Sequence, residues 1–179
     1  RAGEAFVKRY AEERELTVML MLDSSASLSF GTVNRQKREL AAELGAALAY
    51  AAITNNDRVG LLVFSEQIDL YIAPRRGRNH VLHLIRELLA ARPSKPGTDL
   101  SMALRSLNHL LKKRAIVFLL SDFLAPAASY RRDLLLTGRR HDLIVAVLSD
   151  PREQAWPDAG LIALEDAESG QVQWVDTGS

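Results

Sequence analysis

Apolar positions along the chain alternate between short runs and longer stretches with helical spacing. Leu16–Leu22 is an apolar run short enough for a fully buried strand, and runs of the same kind occur at Val59–Phe64, Ala115–Leu120 and Leu143–Leu148. The pattern therefore predicts four buried strands separated by longer segments.

The segments between these runs carry apolar residues at helical spacing. The first predicted helix covers about residues 33–54, with an apolar stripe formed by Leu40, Leu44, Ala47, Leu48 and Ala51. Further helices are predicted at about 81–89, 100–111 and 127–139.

One further strand is predicted next to the second buried run. Ile68–Ile72 follows the short break "SEQ", and Pro74 closes it as an antiparallel edge strand. Buried strands that alternate with helices predict an α/β fold. It is a doubly wound, mostly parallel sheet with one antiparallel edge strand and helices on both faces.

The length of 179 residues suits a single domain. Residues 1–15 are predicted as a lead-in segment and residues 16–179 as the domain, with a short edge hairpin or strand at 160–176. The first residue is Arg1 rather than Met, which indicates a fragment of a longer protein.

Composition narrows the classes of function. Apolar residues make up 47% of the chain and charged residues 25%, as in soluble globular proteins. The net charge of +1 gives no global attraction to nucleic acid. The absence of cysteine excludes thiolate metal sites and is consistent with a reducing compartment, so a cytoplasmic location is expected. No apolar run reaches the roughly 18 residues of a membrane span.

The stretch "MLDSSASLSFGT" places a carboxylate and hydroxyls directly behind the first buried strand. Asp23, Ser25 and Ser27 carry side-chain oxygens at alternate positions. A turn explains this pattern, because Asp and Ser are common turn and helix-capping residues. A metal site is the alternative, although this stretch alone favours the turn.

Two other loops carry oxygen ligands at compatible places. Thr98 lies in "PGTDL" before the third helix, and Asp122 lies in "LLSDF" at the end of a buried strand. Ligands of doubly wound folds bind beyond the carboxyl ends of strands, where the strand order reverses. Together the three loops favour a hard divalent cation, by default Mg²⁺, with Mn²⁺ or Ca²⁺ as alternatives.

The succession D-x-S-x-S, G-T-D-L and S-D resembles the metal-ion-dependent adhesion site of von Willebrand factor A-type domains. Further distinctive stretches are "EERELTVMLMLD", "NNDRVGLLVFSEQID", "PRRGRNHVL", "FLLSDF", "RRHDLI" and "DPRE" with "WPDAGL". They resemble a bacterial subgroup, the domain-of-unknown-function family fifty-eight, whose members occur with MoxR-type AAA+ ATPases.

This resemblance implies a metal-dependent protein-binding module rather than an enzyme. The metal ligands it implies are Asp23, Ser25, Ser27, Thr98 and Asp122. A partner's Asp or Glu carboxylate would complete the shell, and the partner would be a MoxR-type ATPase in protein assembly or chaperone-like maturation.

Two residues beside these ligands are expected to contact the partner, Phe123 and Asp99. Many A domains carry glycine after the last aspartate, where Phe123 stands. A bulky residue at this position would change access to the metal or the choice of partner.

The main alternative is a Mg²⁺-dependent phosphoryl-transfer or phosphatase enzyme in which Asp23 is phosphorylated. Such chemistry needs further carboxylates beside the nucleophile and a lysine near the phosphoryl group. Serines follow Asp23 instead, and no lysine occurs after Lys113. Asp150, in an Asp-Pro turn, is left outside the site.

Other clusters carry weaker signals. His80 and His83 have zinc-compatible spacing but lack an evident third ligand, and His141 is expected at the opposite end of the sheet from Asp23. The arginines at positions 75, 76 and 78 lack the interleaved aromatic residues of a nucleic-acid site, so a solvated edge or a protein-contact patch is expected.

Overall fold

The computed structural model describes residues 16–32, 35–92, 94–154, 158–166 and 170–178, so the predicted lead-in segment at 1–15 lies outside the described residues. Five strands form the main sheet in the order β3-β2-β1-β4-β5. They are β1 Thr17–Asp23, β2 Arg58–Phe64, β3 Ile68–Arg75, β4 Ile116–Ser121 and β5 Asp142–Val147. Only the β2–β3 pairing is antiparallel, which confirms the predicted sheet.

The helices lie on both faces of this sheet. They are α1 Lys37–Thr54, α2 Arg78–Ala90, α3 Leu100–Leu110, α4 Ala127–Arg140 and the short α5 Pro151–Gln154, with a 3₁₀ turn at Ala26–Ser29. None of the helices in the described part of the chain is long and apolar enough to cross a membrane.

Strand β1 is buried on both faces, which explains its uninterrupted apolar sequence. Leu20 and Leu22 pack in a core with α1 and α2 residues, whereas Met19 and Met21 pack in a second core with α3. Alternate side chains of one strand therefore contribute to two separate cores.

Helix α1 exists as predicted, but its buried face is different from the predicted leucine stripe. Leu40 and Leu44 are exposed, while the buried residues are Lys37, Ala41, Ala42, Gly45, Ala49 and Ala52. Gly45 shows the reason, because an added Cβ would lie 3.2 Å from the Leu88 side chain of α2. Close packing against α2 requires small residues on the inner face.

Helix α1 also begins later than the predicted start near residue 33. Gln36 is its N-cap, and it forms a reciprocal capping box with Glu39. Arg35, among the described residues, precedes the helix.

The predicted hairpin at the end of the chain forms, but apart from the main sheet. Strand β6 Leu161–Glu165 pairs antiparallel with β7 Val172–Asp176, and the two make a separate two-stranded sheet. Strand β5 is consequently an edge strand in the described part of the chain, and none of its residues is fully buried. The prediction of a buried strand at Leu143–Leu148 is therefore wrong about burial, although the strand itself forms.

The topology brings the predicted site residues to one end of the sheet. Strand β1 lies between β2 and β4, and its parallel pairing with β4 aligns Leu22 with Leu120. The strand order reverses between β1 and β4, so their carboxyl ends flank the switch point. Asp23 and Ser121 end these two strands.

Candidate metal centre

Asp23 is fully buried at the end of β1 and is held by two hydrogen bonds. Its Oδ1 accepts from the backbone N–H of Ser25 at 2.9 Å, and its Oδ2 accepts from Ser121 Oγ at 2.6 Å. Burial raises the pKa of Asp23 to about 6, although these hydrogen bonds lower it, and the charge of Asp122 raises it further. The carboxylate is therefore mainly ionised at neutral pH, in a fixed orientation.

The loop behind Asp23 brings the two predicted serine hydroxyls together. Ser25 is the N-cap of the 3₁₀ turn, and Ser27 lies inside it. Their Oγ atoms are 3.0 Å apart, and both residues are buried. The alternation of D-x-S-x-S is thus converted into a compact group of oxygens at the end of β1.

Strand β4 supplies the second carboxylate, Asp122, which is also buried. Because Leu22 pairs with Leu120 on the neighbouring parallel strand, Asp122 follows β4 at the same edge of the sheet where Asp23 ends β1. Ser121 Oγ also accepts a hydrogen bond from the N–H of Phe123 at 3.1 Å, so one hydroxyl connects Asp23 with the turn after β4.

Phe123 occupies the left-handed backbone region with φ 56°. Glycine adopts this conformation without strain, whereas a side chain at this φ is uncommon. The ring of Phe123 packs in a tilted arrangement against Tyr130, with 5.7 Å between ring centroids. Contact with α4 therefore accompanies an unfavourable backbone conformation beside the site.

The loop that carries Thr98 is fixed against the other loops by backbone hydrogen bonds. The N–H of Ala26 donates to the Pro96 carbonyl at 2.9 Å, and the N–H of Asp99 donates to the Ser65 carbonyl at 3.0 Å. Thr98 lies between these anchors and is half-buried. The structure thus brings the Thr98 segment to the β1 loop.

Thr98 lies just before α3, but the N-cap of this helix is Asp99. Asp99 Oδ1 accepts from the N–H of Met102 at 2.8 Å. The threonine hydroxyl is therefore not needed as the helix cap.

Ser24, the spacer between Asp23 and Ser25, points toward β2 and β3. Its Oγ lies 3.0 Å from the Phe64 carbonyl oxygen and 2.9 Å from Asp69 Oδ2. Asp69 also accepts a hydrogen bond from Ser94 Oγ, so one carboxylate joins the first loop to the segment before Thr98. Asp69 was not predicted; its only sequence signal is a carboxylate inside the apolar run Ile68–Ile72.

Lys37 is the most significant residue that the sequence interpretation missed. Its side chain is only 3% exposed, and its Nζ donates to Asp122 Oδ2 at 2.8 Å and to Glu153 Oε1 at 2.5 Å. Burial alone lowers the pKa of Lys37, but the two carboxylates outweigh burial and raise the pKa above its usual value. The signal in the sequence is the spacing of Lys37 and Ala41. They are four residues apart, about one helical turn, and so share the buried face of α1.

Asp150 lies outside the donor set but close to it. It accepts hydrogen bonds from the backbone N–H of Thr32 at 2.8 Å, from Thr32 Oγ1 at 2.5 Å and from the N–H of Arg152 at 2.8 Å. The Thr32 hydrogen bonds hold the pKa of Asp150 below its usual value. Asp150 therefore anchors the segment before α1 to α5.

The histidines do not contribute to the donor set. His80 Nε2 lies 2.8 Å from the Val59 carbonyl oxygen, and His83 pairs with Glu87 on α2. His141 ends α4 as its C-cap just before β5, and its Nδ1 accepts from the N–H of Ala115 at 3.3 Å. The contacts of His80 and His141 lie at the amino ends of β2 and β4, opposite Asp23.

The donor set is chemically suited to a hard divalent cation. In the part of the chain that the structure describes, no three or more His, Asp or Glu side chains are grouped to hold a metal. The candidate site instead combines two carboxylates with hydroxyls, and Mg²⁺ sites typically use one or two carboxylates together with water. The buried oxygens of Asp23, Ser25 and Ser27 match that composition.

The sequence matches the family described as "Protein of unknown function DUF58" over residues 1–179. It is 33% identical over 176 residues to the uncharacterized protein Rv1480 of Mycobacterium tuberculosis, an alignment that covers 97% of this chain and 55% of the relative. The chain thus spans about half the length of the curated relatives it matches.

Several solved structures have a similar fold. An aerotolerance-related membrane protein from Bacteroides fragilis aligns with a TM-score of 0.68 at 19% identity, covering 90% of this chain and 82% of that one. Manganese-loaded Plasmodium vivax TRAP aligns at 0.55 and 15% identity, covering 79% and 61%. Mussel byssus proximal thread matrix protein 1 with a zinc-occupied MIDAS motif aligns at 0.54 and 14%, covering 73% and 37%. At these identities the likeness establishes a von Willebrand factor A-like fold and nothing more.

Proposed function

The chain belongs to the DUF58 family, and we propose that it is a metal-ion-dependent protein-binding module whose site lies at the carboxyl ends of β1 and β4. The observation that carries this proposal is the convergence of Asp23, Ser25 and Ser27 with Ser121 and Asp122, described above. Buried polar oxygens gathered at a topological switch point are the usual arrangement of a ligand site in this fold class.

The cation would be held by Asp23, Ser25, Ser27, Thr98 and Asp122, directly or through water. Mg²⁺ is the proposed ion because hard oxygen donors with two carboxylates suit it, and Mn²⁺ or Ca²⁺ would fit the same donors. Two fold relatives support a divalent cation, one described as manganese-loaded and one with a zinc-occupied MIDAS motif. When bound, the ion supplies a positive charge with an open position for a partner's Asp or Glu carboxylate.

The chain's own residues prepare the site for this role. Ser121 Oγ and the N–H of Ser25 hold the two oxygens of Asp23 in a fixed orientation. A fixed carboxylate loses little conformational freedom on binding, which favours affinity. Phe123 and the exposed Asp99 flank the donor set, and both would contact the partner.

The proposed partner is a MoxR-type AAA+ ATPase in protein assembly or chaperone-like maturation, a pairing that rests on the family resemblance. The proposed location is the cytoplasm, because a chain without cysteine is consistent with a reducing compartment.

One feature of the structure supports the phosphoryl-transfer alternative, namely a lysine near the carboxylates, and two features oppose it. Lys37 lies beside Asp122, but its ammonium is already shared between Asp122 and Glu153. Both oxygens of Asp23 accept hydrogen bonds, which leaves this carboxylate less available as a nucleophile. Hydrolysis of a phosphate ester that depends on Asp23 would favour the enzyme over the binding module.

The test combines metal binding with capture of the partner. Wild type and Asp23→Ala are titrated with Mg²⁺ by calorimetry, then used to capture a purified MoxR-type ATPase with Mg²⁺ or EDTA. Ser29→Ala is the control, because Ser29 ends the same turn but is exposed. We expect Mg²⁺-dependent capture by wild type and the control only. Equal capture in EDTA and Mg²⁺ would contradict the proposal.

A further inference from the structure

A buried ammonium beside a proposed cation site is the feature that the proposed function leaves unexplained. Lys37 is the first residue of α1, and its side chain is 3% exposed. Its Nζ contacts Asp122 Oδ2 at 2.8 Å, so a positive charge already sits on one of the two proposed metal carboxylates.

The charges of this cluster are unevenly balanced. Asp23, Asp122 and Glu153 contribute three carboxylates, and Lys37 contributes one ammonium. A buried carboxylate is stable only with a compensating charge or hydrogen bonds. The other oxygen of Asp122 has a weak contact, since the N–H of Leu124 lies 3.4 Å from Oδ1. Lys37 is therefore the main group that compensates the charge of Asp122.

Glu153 is a second carboxylate that pairs with the Lys37 ammonium. Its Oε1 accepts from Lys37, and its Oε2 accepts from the N–H of Asp150 at 3.0 Å. Asp150 is in turn fixed by Thr32, so α5 presents Glu153 to Lys37 in a defined orientation.

We propose that Lys37 is a built-in cation that shares Asp122 with the divalent ion and so sets the metal affinity of the site, an inference that rests on the proposed function. In the metal-free protein Lys37 compensates Asp122. On metal binding, Asp122 serves the divalent ion, and Glu153 keeps the displaced ammonium paired. Lys37 and Glu153 are positioning residues and are not ligands.

The inference predicts opposite effects for two variants. Lys37→Gln removes the competing charge and should bind Mg²⁺ about tenfold more tightly, because like charges separated by a few ångströms repel strongly in a partly buried site. In EDTA, the same variant should melt at a lower temperature than wild type, because Asp122 loses its compensating charge. Addition of Mg²⁺ should raise the melting temperature of Lys37→Gln by more than it raises that of wild type.

Glu153→Gln should weaken Mg²⁺ binding severalfold. The ammonium would lose its second carboxylate and remain on Asp122, and the local negative charge would fall. Arg35→Gln is the matched control, because it also removes a positive charge near the start of α1, but Arg35 is exposed and pairs with Glu43. It should leave the affinity unchanged.

Calorimetric titration with Mg²⁺ and thermal unfolding with and without EDTA decide the outcome. If Asp23→Ala removes Mg²⁺ binding but Lys37→Gln binds no more tightly than wild type, the inference is overturned while the proposed metal site stands. If wild type and Asp23→Ala bind Mg²⁺ equally, or neither wild type nor Lys37→Gln binds it, both are overturned.

The test remains decisive if Lys37→Gln folds poorly. Lys37→Gln that folds only when Mg²⁺ is present supports the inference. If it folds under neither condition, Glu153→Gln decides, since this variant keeps the Lys37–Asp122 pair. Unchanged or tighter Mg²⁺ binding by Glu153→Gln would then overturn the inference.

Discussion

The hydroxyl of Ser121 donates a hydrogen bond of 2.6 Å to Asp23 Oδ2 and so connects the ends of two adjacent parallel strands. Both residues are fully buried. This contact joins residues 98 positions apart along the chain and holds the carboxylate at the switch point of the sheet. Ser121 thus orients a proposed ligand, although its own hydroxyl is not among the predicted ligands.

Replacing Ser121 with alanine should weaken both the site and the fold. The buried carboxylate loses a charged hydrogen bond, which costs about 1.5–3 kcal/mol of unfolding free energy. Mg²⁺ affinity should fall because Asp23 is no longer oriented. Urea unfolding and calorimetry measure the two effects, with Ser29→Ala as the control. Unchanged metal affinity would show that Ser121 serves only the fold.

The stability of the metal-free protein should depend on Asp23 in a defined pH window. Burial raises the folded pKa of Asp23 to about 6, from 3.8, so the folded state retains this proton where the unfolded state loses it. The Asp23 contribution therefore lowers stability as pH rises from about 4 to 6, by on the order of 3 kcal/mol.

Asp23→Asn removes this titration. In EDTA, the stability of Asp23→Asn relative to wild type should increase from pH 4 to pH 6 and level off above it, as measured by urea unfolding. A stability difference that is the same at both pH values would contradict the raised pKa.

At position 123, glycine should be tolerated better than alanine. Both substitutions remove the packing of the Phe123 ring against Tyr130, but only alanine keeps a Cβ at φ 56°. The free energy of unfolding of Phe123→Gly should therefore be about 1 kcal/mol higher than that of Phe123→Ala. Thermal or urea unfolding of both variants tests this order, and the reverse order would exclude backbone strain as its cause.

Substitutions at Thr98 and Asp99 should separate the effect of metal binding from the effect of helix capping. Asp99→Ala removes the cap on Met102 and should cost about 1 kcal/mol of stability with little change in Mg²⁺ affinity. Thr98→Ala should reduce Mg²⁺ affinity. Each variant is the control for the other, measured by calorimetry and unfolding. A loss of metal affinity in Asp99→Ala alone would remove Thr98 from the proposed ligands.

Local sequence was sufficient to predict the positions of the strands, the four longer helices and the three loops of the candidate site. Strand β1 is apolar throughout because both of its faces are buried, and this signal does not depend on its neighbours. Asp23 directly follows that run, so its place at a strand end was predictable. The same holds for Asp122, which follows the apolar β4.

Other features depended on contacts between distant segments. The buried face of α1 is formed by small residues because α2 packs closely against it, whereas the sequence alone favoured Leu40 and Leu44. Pairing of β6 with β7 in a separate sheet was likewise not evident from periodicity.

The sequence by itself determined which oxygens follow the strands, because apolar runs and turn residues are local properties. Only the tertiary structure decided which charges share the site. The Lys37 ammonium reaches Asp122, 85 residues away, and Glu153, 116 residues away. No local pattern encodes that arrangement, because it arises from the packing of α1 and α5 at the end of a sheet assembled from distant strands.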